Sequence, residues 1–204
     1  YNKIMYDHKL THIDIETYNM CNLKCVMCPY KDMTRKKVKM SMDLFKKIVD
    51  DAISFGIKEI HLSHYNEPLV DDLLFERIEY ITDRNIICQI HTNAPLLTDI
   101  NIKKLLDSKI NRIIVSFDSF DKKIYESIRV GANYDIVKRN ILSLLKQKKE
   151  HNLEVNLNYV IQKNNLLEKI DKGFIKMFDN VTFVFDDNRF ENAFYFPKIR
   201  NLNF

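Results

Sequence analysis

The chain has 204 residues, of which 46% are hydrophobic and 29% are charged. This composition can fill the core of one domain and excludes an intrinsically disordered chain. A formal net charge of +4 is too small to indicate a nucleic-acid partner. No apolar run has the length of a membrane span, and the first residues do not resemble a signal peptide. We therefore expect no membrane partner and a reducing, cytoplasmic location.

Strand and helix patterns alternate along the whole chain. The predicted elements are a strand at 10–16, a helix at 41–56, a strand at 57–63, a helix at 70–84, a strand at 85–92, a helix at 98–109, a strand at 110–118, a helical pair within 121–150, a strand at 153–161, a helix at 164–178 and a strand at 181–185. Ser41 is expected to cap the first helix and Gly56 to end it. Because such alternation builds parallel sheets, we predict an α/β fold, a partial (β/α)6 TIM-like barrel.

Several predicted strands keep one polar face. Ile13 and Ile15 alternate with polar residues in "THIDIE", and Asn156 and Asn158 alternate with apolar residues in "VNLNYV". A parallel strand that helices cover on both faces is apolar throughout, so the pattern favours a barrel with a polar lumen. A doubly wound sheet with a few satisfied buried polar groups is the alternative. We predict one domain over residues 1–204, its core at about 10–185, and residues 186–204 as a barrel-closing tail or the start of a truncated C-terminal module.

Three of the four cysteines stand in the stretch "CNLKCVMC", at positions 21, 25 and 28. Disulfide pairing fits poorly because three is an odd number and the fourth cysteine, Cys88, lies far away in an apolar run. The three would share one stripe of a helix, but Pro29 follows at once and polar residues crowd the segment, which indicates a loop. Cys88 is expected to be a small buried hydrophobic residue.

A loop that carries three thiolates suits a metal centre. A closed zinc site needs four ligands, and no fourth Cys or His stands at a finger-like spacing, so zinc is a distant alternative. Three cysteines suit a cubane iron–sulfur cluster that leaves one iron open to a further ligand.

The cysteine motif and its companions resemble the radical S-adenosylmethionine (SAM) superfamily. "CNLKCVMCP" has that family's CxxxCxxC spacing, and "NEPL", "TNAPLL" and "IIVSFDSFDKKIYESIR" are similar to motifs that follow its second to fourth strands. The resemblance covers about residues 10–185. The "CxMCP" variant is similar to the peptide-modifying SPASM or Twitch branch, although no cysteine follows Cys88 to hold an auxiliary cluster.

The resemblance implies two cofactors, a [4Fe-4S] cluster and SAM. Cys21, Cys25 and Cys28 would bind three irons, and the SAM amino and carboxylate groups would chelate the fourth. Glu67 would accept a hydrogen bond from the SAM ammonium group. The other implied SAM contacts are Asn66, Thr92, Asn93, Ser116, Arg129 and Asn158. No catalytic residue is assigned beyond the cofactor ligands.

Within this set, Ser116 and Arg129 are assigned to the SAM carboxylate, because the planar guanidinium fork matches that group. Thr92, Asn93 and Asn158 are assigned to the ribose and adenine.

Two departures from the family pattern concern glycine. Tyr65 and Asn66 replace the glycines that precede the family's glutamate, and Ala94 replaces the glycine of its TNG motif. Glycine lets the backbone approach a ligand closely. Asn66 is expected to substitute for it, since asparagine tolerates unusual backbone angles.

The function implied by the resemblance is reductive cleavage of SAM to a 5′-deoxyadenosyl radical, which abstracts hydrogen from a substrate. A peptide or protein is the favoured substrate, and a small molecule stays open. An electron donor such as flavodoxin or ferredoxin is the implied partner. Two alternatives remain, an iron–sulfur electron-transfer or binding protein and a degenerate scaffold that has lost turnover.

Overall fold

The computed structural model describes residues 10–185, which form six strands and six α-helices. The elements are β1 (His12–Asp14), α1 (Met42–Ser54), β2 (Glu59–His61), α2 (Leu74–Thr82), β3 (Ile87–Thr92), α3 (Asp99–Asp107), β4 (Arg112–Ser116), α4 (Lys122–Ile128), α5 (Tyr134–Gln147), β5 (Glu154–Ile161), α6 (Lys172–Ile175) and β6 (Asn180–Phe185). The strands form one parallel sheet in the order β1 to β6. The predicted α/β fold, a partial (β/α)6 barrel, is confirmed. The prediction for residues 186–204 lies outside the described residues.

Side-chain caps set the starts of the helices. Ser41 accepts a hydrogen bond from the backbone N–H of Leu44 and begins α1, as the sequence predicts. Thr98 and Asn133 cap α3 and α5 in the same way. Gly56 follows α1 with a φ of +84°, a left-handed conformation that favours glycine, and confirms the predicted end of that helix. Among the described residues, no helix is long and apolar enough to cross a bilayer.

One face of the sheet packs against the helices. Apolar side chains at alternating strand positions, such as Ile60, Ile90, Val115 and Leu157, are fully buried in one hydrophobic core with the inward faces of the helices. Burial of each such side chain contributes about 1.5–3 kcal/mol. Because side chains alternate along a strand, the residues between them point to the other face of the sheet.

That other face is polar. Asp14, His61, Gln89, Arg112 and Glu154 occupy one row of the register across β1 to β5. The Arg112 guanidinium donates to Glu154 at 2.9 Å and to Gln89 at 2.9 Å, and the Asn156 amide also donates to Glu154 at 2.9 Å. The predicted polar lumen is confirmed, and its charged groups are largely paired with one another.

The predicted helix at 164–178 is wrong over most of its length, because only α6, at Lys172–Ile175, is α-helical there. The Asn165 amide donates to the carbonyls of Asp118 and Val160 at 2.5 and 2.8 Å, and its oxygen accepts from the Gln162 N–H at 2.7 Å. Side chains that bond to nearby backbone compete with helix formation in this way. The other predicted elements are present, most of them shortened at one or both ends.

The Asn165 contacts generate a stability prediction. Asn165→Ala removes three hydrogen bonds and leaves buried backbone groups without partners, which is expected to lower the free energy of unfolding by about 2–4 kcal/mol. Urea denaturation measures the change. The matched control is Asn164→Ala, since Asn164 is exposed. Equal effects of the two variants would contradict this account of the segment.

Candidate active site

The three cysteines lie in an irregular loop that follows β1, and all are free thiols. Backbone hydrogen bonds fix the loop to the end of α4 and the residues beyond it, from Lys24 N to Val130 O at 3.0 Å and from Val26 N to Ile128 O at 2.9 Å. Cys25 is buried, whereas Cys21 and Cys28 are partly exposed. The loop prediction is confirmed.

The other cysteine has a different environment. Cys88 is fully buried in the apolar core, as predicted. Burial raises the pKa of its thiol well above the ordinary range.

Burial also raises the pKa values of two thiols in the cysteine loop, so in the metal-free protein they are weaker acids than a free thiol. It raises the pKa of Cys21 to about 11. The pKa of Cys25 is raised by burial as well, while the neighbouring Arg129 guanidinium opposes the increase. A metal that binds here must displace these protons, and it gains thiolate ligands in a partly dry environment.

Glu67 is the buried carboxylate of the site. It lies directly after β2 and the turn at residues 63–66, and its own N–H donates to Met20 O at 2.9 Å. One carboxylate oxygen accepts from Thr92 Oγ1 at 2.9 Å and from Leu69 N at 3.2 Å, and the other accepts from Asn93 N at 2.8 Å. Burial outweighs these hydrogen bonds and raises the pKa of Glu67 to about 7.

Asn93 connects the carboxylate to the cysteine loop. Its amide nitrogen donates to Asn22 Oδ1 at 2.8 Å and contacts Cys21 Sγ at 3.6 Å. Asn22 was not identified from the sequence, since it occupies one of the unspecified positions of the cysteine motif.

Ala94 follows with a φ of +71°, the left-handed conformation for which the family uses glycine. A non-glycine residue there costs about 1–2 kcal/mol.

Asn66 differs from its expected backbone role, because it does not have the positive φ that would make it a substitute for glycine. Instead its side-chain oxygen accepts from the His64 N–H at 2.8 Å and closes the turn. Its amide nitrogen, Nδ2, is buried without a hydrogen-bond partner among the described residues, and so is Asn93 Oδ1. Buried polar atoms are seldom left unpaired, so these two are candidate contacts for a polar ligand.

Ser116 and Asn158 lie opposite each other in the register of β4 and β5, on the polar face. Both are partly exposed, and within the described residues their side chains make no hydrogen bond.

Arg129 is buried and already has partners. Its Nε donates to Asp118 Oδ2 at 2.6 Å, and Nη1 lies 3.9 Å from Cys25 Sγ. Asp118 also accepts from Val160 N at 2.9 Å. The structure thus places a buried ion pair behind the cysteine loop. The assignment of Arg129 to a SAM carboxylate stays a prediction.

Comparison with known proteins identifies the family. Residues 15–172 match the Radical SAM superfamily, and the chain belongs to it. The predicted cofactors, a [4Fe-4S] cluster and SAM, are confirmed as those of this family, and the protein is a radical SAM enzyme by family.

Individual relatives differ in their described activity. A probable GTP 3′,8-cyclase of Methanococcus maripaludis is 33% identical over 137 residues, covering 67% of this chain and 46% of that protein. The GTP 3′,8-cyclase of Clostridium perfringens is 28% identical over 182 residues, covering 84% and 54%. Streptococcus suis SuiB bound to its precursor peptide SuiA shares the fold with a TM-score of 0.68 at 18% identity, covering 87% and 39%. The chain therefore spans about half the length of the curated relatives it matches.

The raised pKa of Glu67 generates a pH prediction for the metal-free protein. Between its ordinary value of 4.5 and about 7, the folded state binds more protons at Glu67 than the unfolded state does. The contribution of Glu67 to stability therefore falls as the pH rises through this range, by on the order of 3 kcal/mol.

Urea denaturation at pH 5 and pH 8 measures the change. Glu67→Gln should lack this part of the decline, whereas Glu76→Gln, at an exposed position, should retain it. If Glu67→Gln loses as much stability between pH 5 and pH 8 as the wild type does, the loss does not come from Glu67.

Proposed function

We propose that this chain is the core of an enzyme that binds a [4Fe-4S] cluster through Cys21, Cys25 and Cys28 and binds SAM beside Glu67. The observation that supports this is that Asn66 Nδ2 and Asn93 Oδ1 are buried and unpaired among the described residues, beside the buried Glu67 carboxylate, while the Asn93 amide nitrogen lies 3.6 Å from Cys21 Sγ. The bound cofactors would supply reductive cleavage of SAM and a 5′-deoxyadenosyl radical for hydrogen abstraction.

The residues around the carboxylate are suited to hold SAM. Ionised Glu67 would accept from the SAM ammonium group, and this contact would offset the burial that now disfavours its charge. Asn66 Nδ2 would donate to the ligand, and Asn93 Oδ1 would accept from it. Thr92 holds Glu67 in place through its hydroxyl, so its contribution to SAM binding is indirect.

The remaining predicted contacts divide into two groups. Ser116 and Asn158 lie on the polar face, where their side chains make no hydrogen bond to another described residue, and they stay candidates for the carboxylate or ribose of SAM. Arg129 is held by Asp118, and its positive charge opposes the increase in the pKa of Cys25. We propose that its main role is to favour the Cys25 thiolate as a cluster ligand.

For the substrate, we propose a peptide or protein. Arg112 is the one Lys or Arg within the six described strands, and it is already engaged by Glu154, Glu59 and Gln89. A nucleoside triphosphate would need unpaired cations to bind its phosphates, and these strands supply none. The fold shared with SuiB, whose structure contains a peptide, is consistent with this choice.

Cyclisation of a purine nucleotide is the second candidate, and it is favoured by the 33% identity to a probable GTP 3′,8-cyclase. Phosphate-binding residues for this reaction would have to come from outside the described strands.

Electron paramagnetic resonance tests the cofactor proposal. Anaerobically reconstituted, dithionite-reduced protein should give a [4Fe-4S]⁺ signal that shifts when SAM is added. Cys25→Ala should lose the signal, whereas Cys88→Ala, in the apolar core, should keep it. Glu67→Gln should keep the signal but require roughly tenfold or more SAM for the shift, because a charge-assisted contact is lost.

Either of two results would overturn this proposal. A cluster signal that is indifferent to SAM would favour an electron-transfer or degenerate protein, and a full signal in Cys25→Ala would remove that residue from the ligand set.

Formation of 5′-deoxyadenosine tests the substrate. An extract of the source cells should stimulate its formation by the reduced, cluster-loaded protein, and pretreatment of the extract with protease, inactivated before the assay, should abolish this stimulation. GTP alone should leave the rate unchanged. Stimulation by GTP, or stimulation that survives protease, would reject the peptide proposal and favour the nucleotide or another small molecule.

A further inference from the structure

We propose that His12, Asp14 and His61 form a second metal site, separate from the cysteine loop, for a divalent cation of the zinc class. The candidate ligand atoms of these three residues lie within 4.8 Å of one another. His12 and Asp14 are two residues apart on β1, so both side chains point to the polar face. His61 lies opposite Asp14 in the register of β1 and β2, which completes a triangle of ligands.

The two ring nitrogens of His61 each lie 2.8 Å from a carboxylate oxygen, Nδ1 from Asp14 and Nε2 from Glu59. A neutral imidazole has one N–H and can donate to only one of them. The other nitrogen and its carboxylate then face each other without a hydrogen between them, and a cation that binds both atoms would satisfy this contact.

The surroundings favour the cation. A histidine that binds a metal usually donates its other N–H to a carboxylate, and Glu59 occupies that position while Arg112 holds Glu59 in turn. His12 Nδ1 lies 3.3 Å from Thr11 Oγ1, which leaves Nε2 of that ring for the metal. In both His12 and His61, the ring nitrogen that would not bind the metal is therefore already in contact with a side-chain oxygen.

The ligand set suggests which metal binds. Two imidazoles and one carboxylate are a nitrogen–oxygen set that suits zinc and its neighbours in the first transition row, rather than magnesium or calcium. His12 and Asp14 are exposed, so water or a substrate group can reach the remaining coordination positions. The rings of His12 and His61 stack with centroids 4.8 Å apart. For both rings to bind one metal, side-chain rotations have to bring their nitrogens closer together.

The experiment measures zinc binding to cluster-loaded protein, because free cysteine thiols would also bind this metal. Isothermal titration with Zn²⁺, followed by elemental analysis after desalting, should show about one zinc per chain beyond the cluster. His12→Ala should weaken binding by more than the roughly 10- to 100-fold that loss of an outer contact costs. Asp14→Asn should also weaken it, and exposed His151→Ala should bind as the wild type does.

Two results would overturn the inference. One is the absence of zinc binding in the cluster-loaded wild type. The other is zinc binding that survives in both His12→Ala and Asp14→Asn. Because His12 and Asp14 are exposed, these variants are expected to fold, and the cluster signal of each provides the check. Failure here leaves the proposed SAM chemistry untouched.

Discussion

A buried carboxylate holds together the loops on which the site depends. The side chain of Glu67 accepts hydrogen bonds from Thr92, the last residue of β3, and from Asn93, which follows it, and its backbone N–H donates to the Met20 carbonyl, just before the cysteine loop. The loops that follow the first three strands therefore meet at one residue. Parallel strands bring their carboxyl ends to the same edge of the sheet. The hydrogen bonds of Glu67 then fix the positions of the loops relative to one another. The cost is a carboxylate whose charge is disfavoured until a cation arrives, which is an arrangement suited to a ligand with an ammonium group.

Behind the cysteine loop, a second buried charged group has a different function. Asp118 and Arg129 are fully or nearly fully buried and paired with each other, and the guanidinium also faces Cys25. A buried ion pair contributes little to stability on balance, because desolvation offsets the attraction. In the proposed function its value lies in its position, since the guanidinium opposes the increase that burial causes in the pKa of Cys25, while Asp118 adds to that increase. Asp118, which follows β4, and Arg129, which follows α4, thus both lie next to the cysteine loop that follows β1.

Sequence patterns predicted correctly those features that depend only on interactions between nearby residues. The cap at Ser41, the stop at Gly56 and the alternation of polar and apolar residues in the strands each depend on a few neighbouring residues. The segment 164–178 has a helical pattern, yet the bonds of Asn165 to Asp118 and Val160 cross from one chain region to another, and no local rule contains them. The same limit applies to the site. The motifs placed Glu67 and the cysteines on the correct loops, but the pairing of Arg129 with Asp118 and the closure of the turn by Asn66 depend on contacts that only the folded chain provides.

The order of the strands has a consequence for how molecules reach the polar face. Within the described residues, β1 and β6 each pair with one neighbour, so the sheet is an arc with two edges and not a ring. Five gaps between strands, at about 4.8 Å each, make an arc of roughly 24 Å along the sheet. A ring of strands admits ligands only through its ends, whereas the arc that residues 10–185 form also has an open side. An extended polymer can enter such a groove sideways at any point along its length, and it need not be threaded in from a terminus.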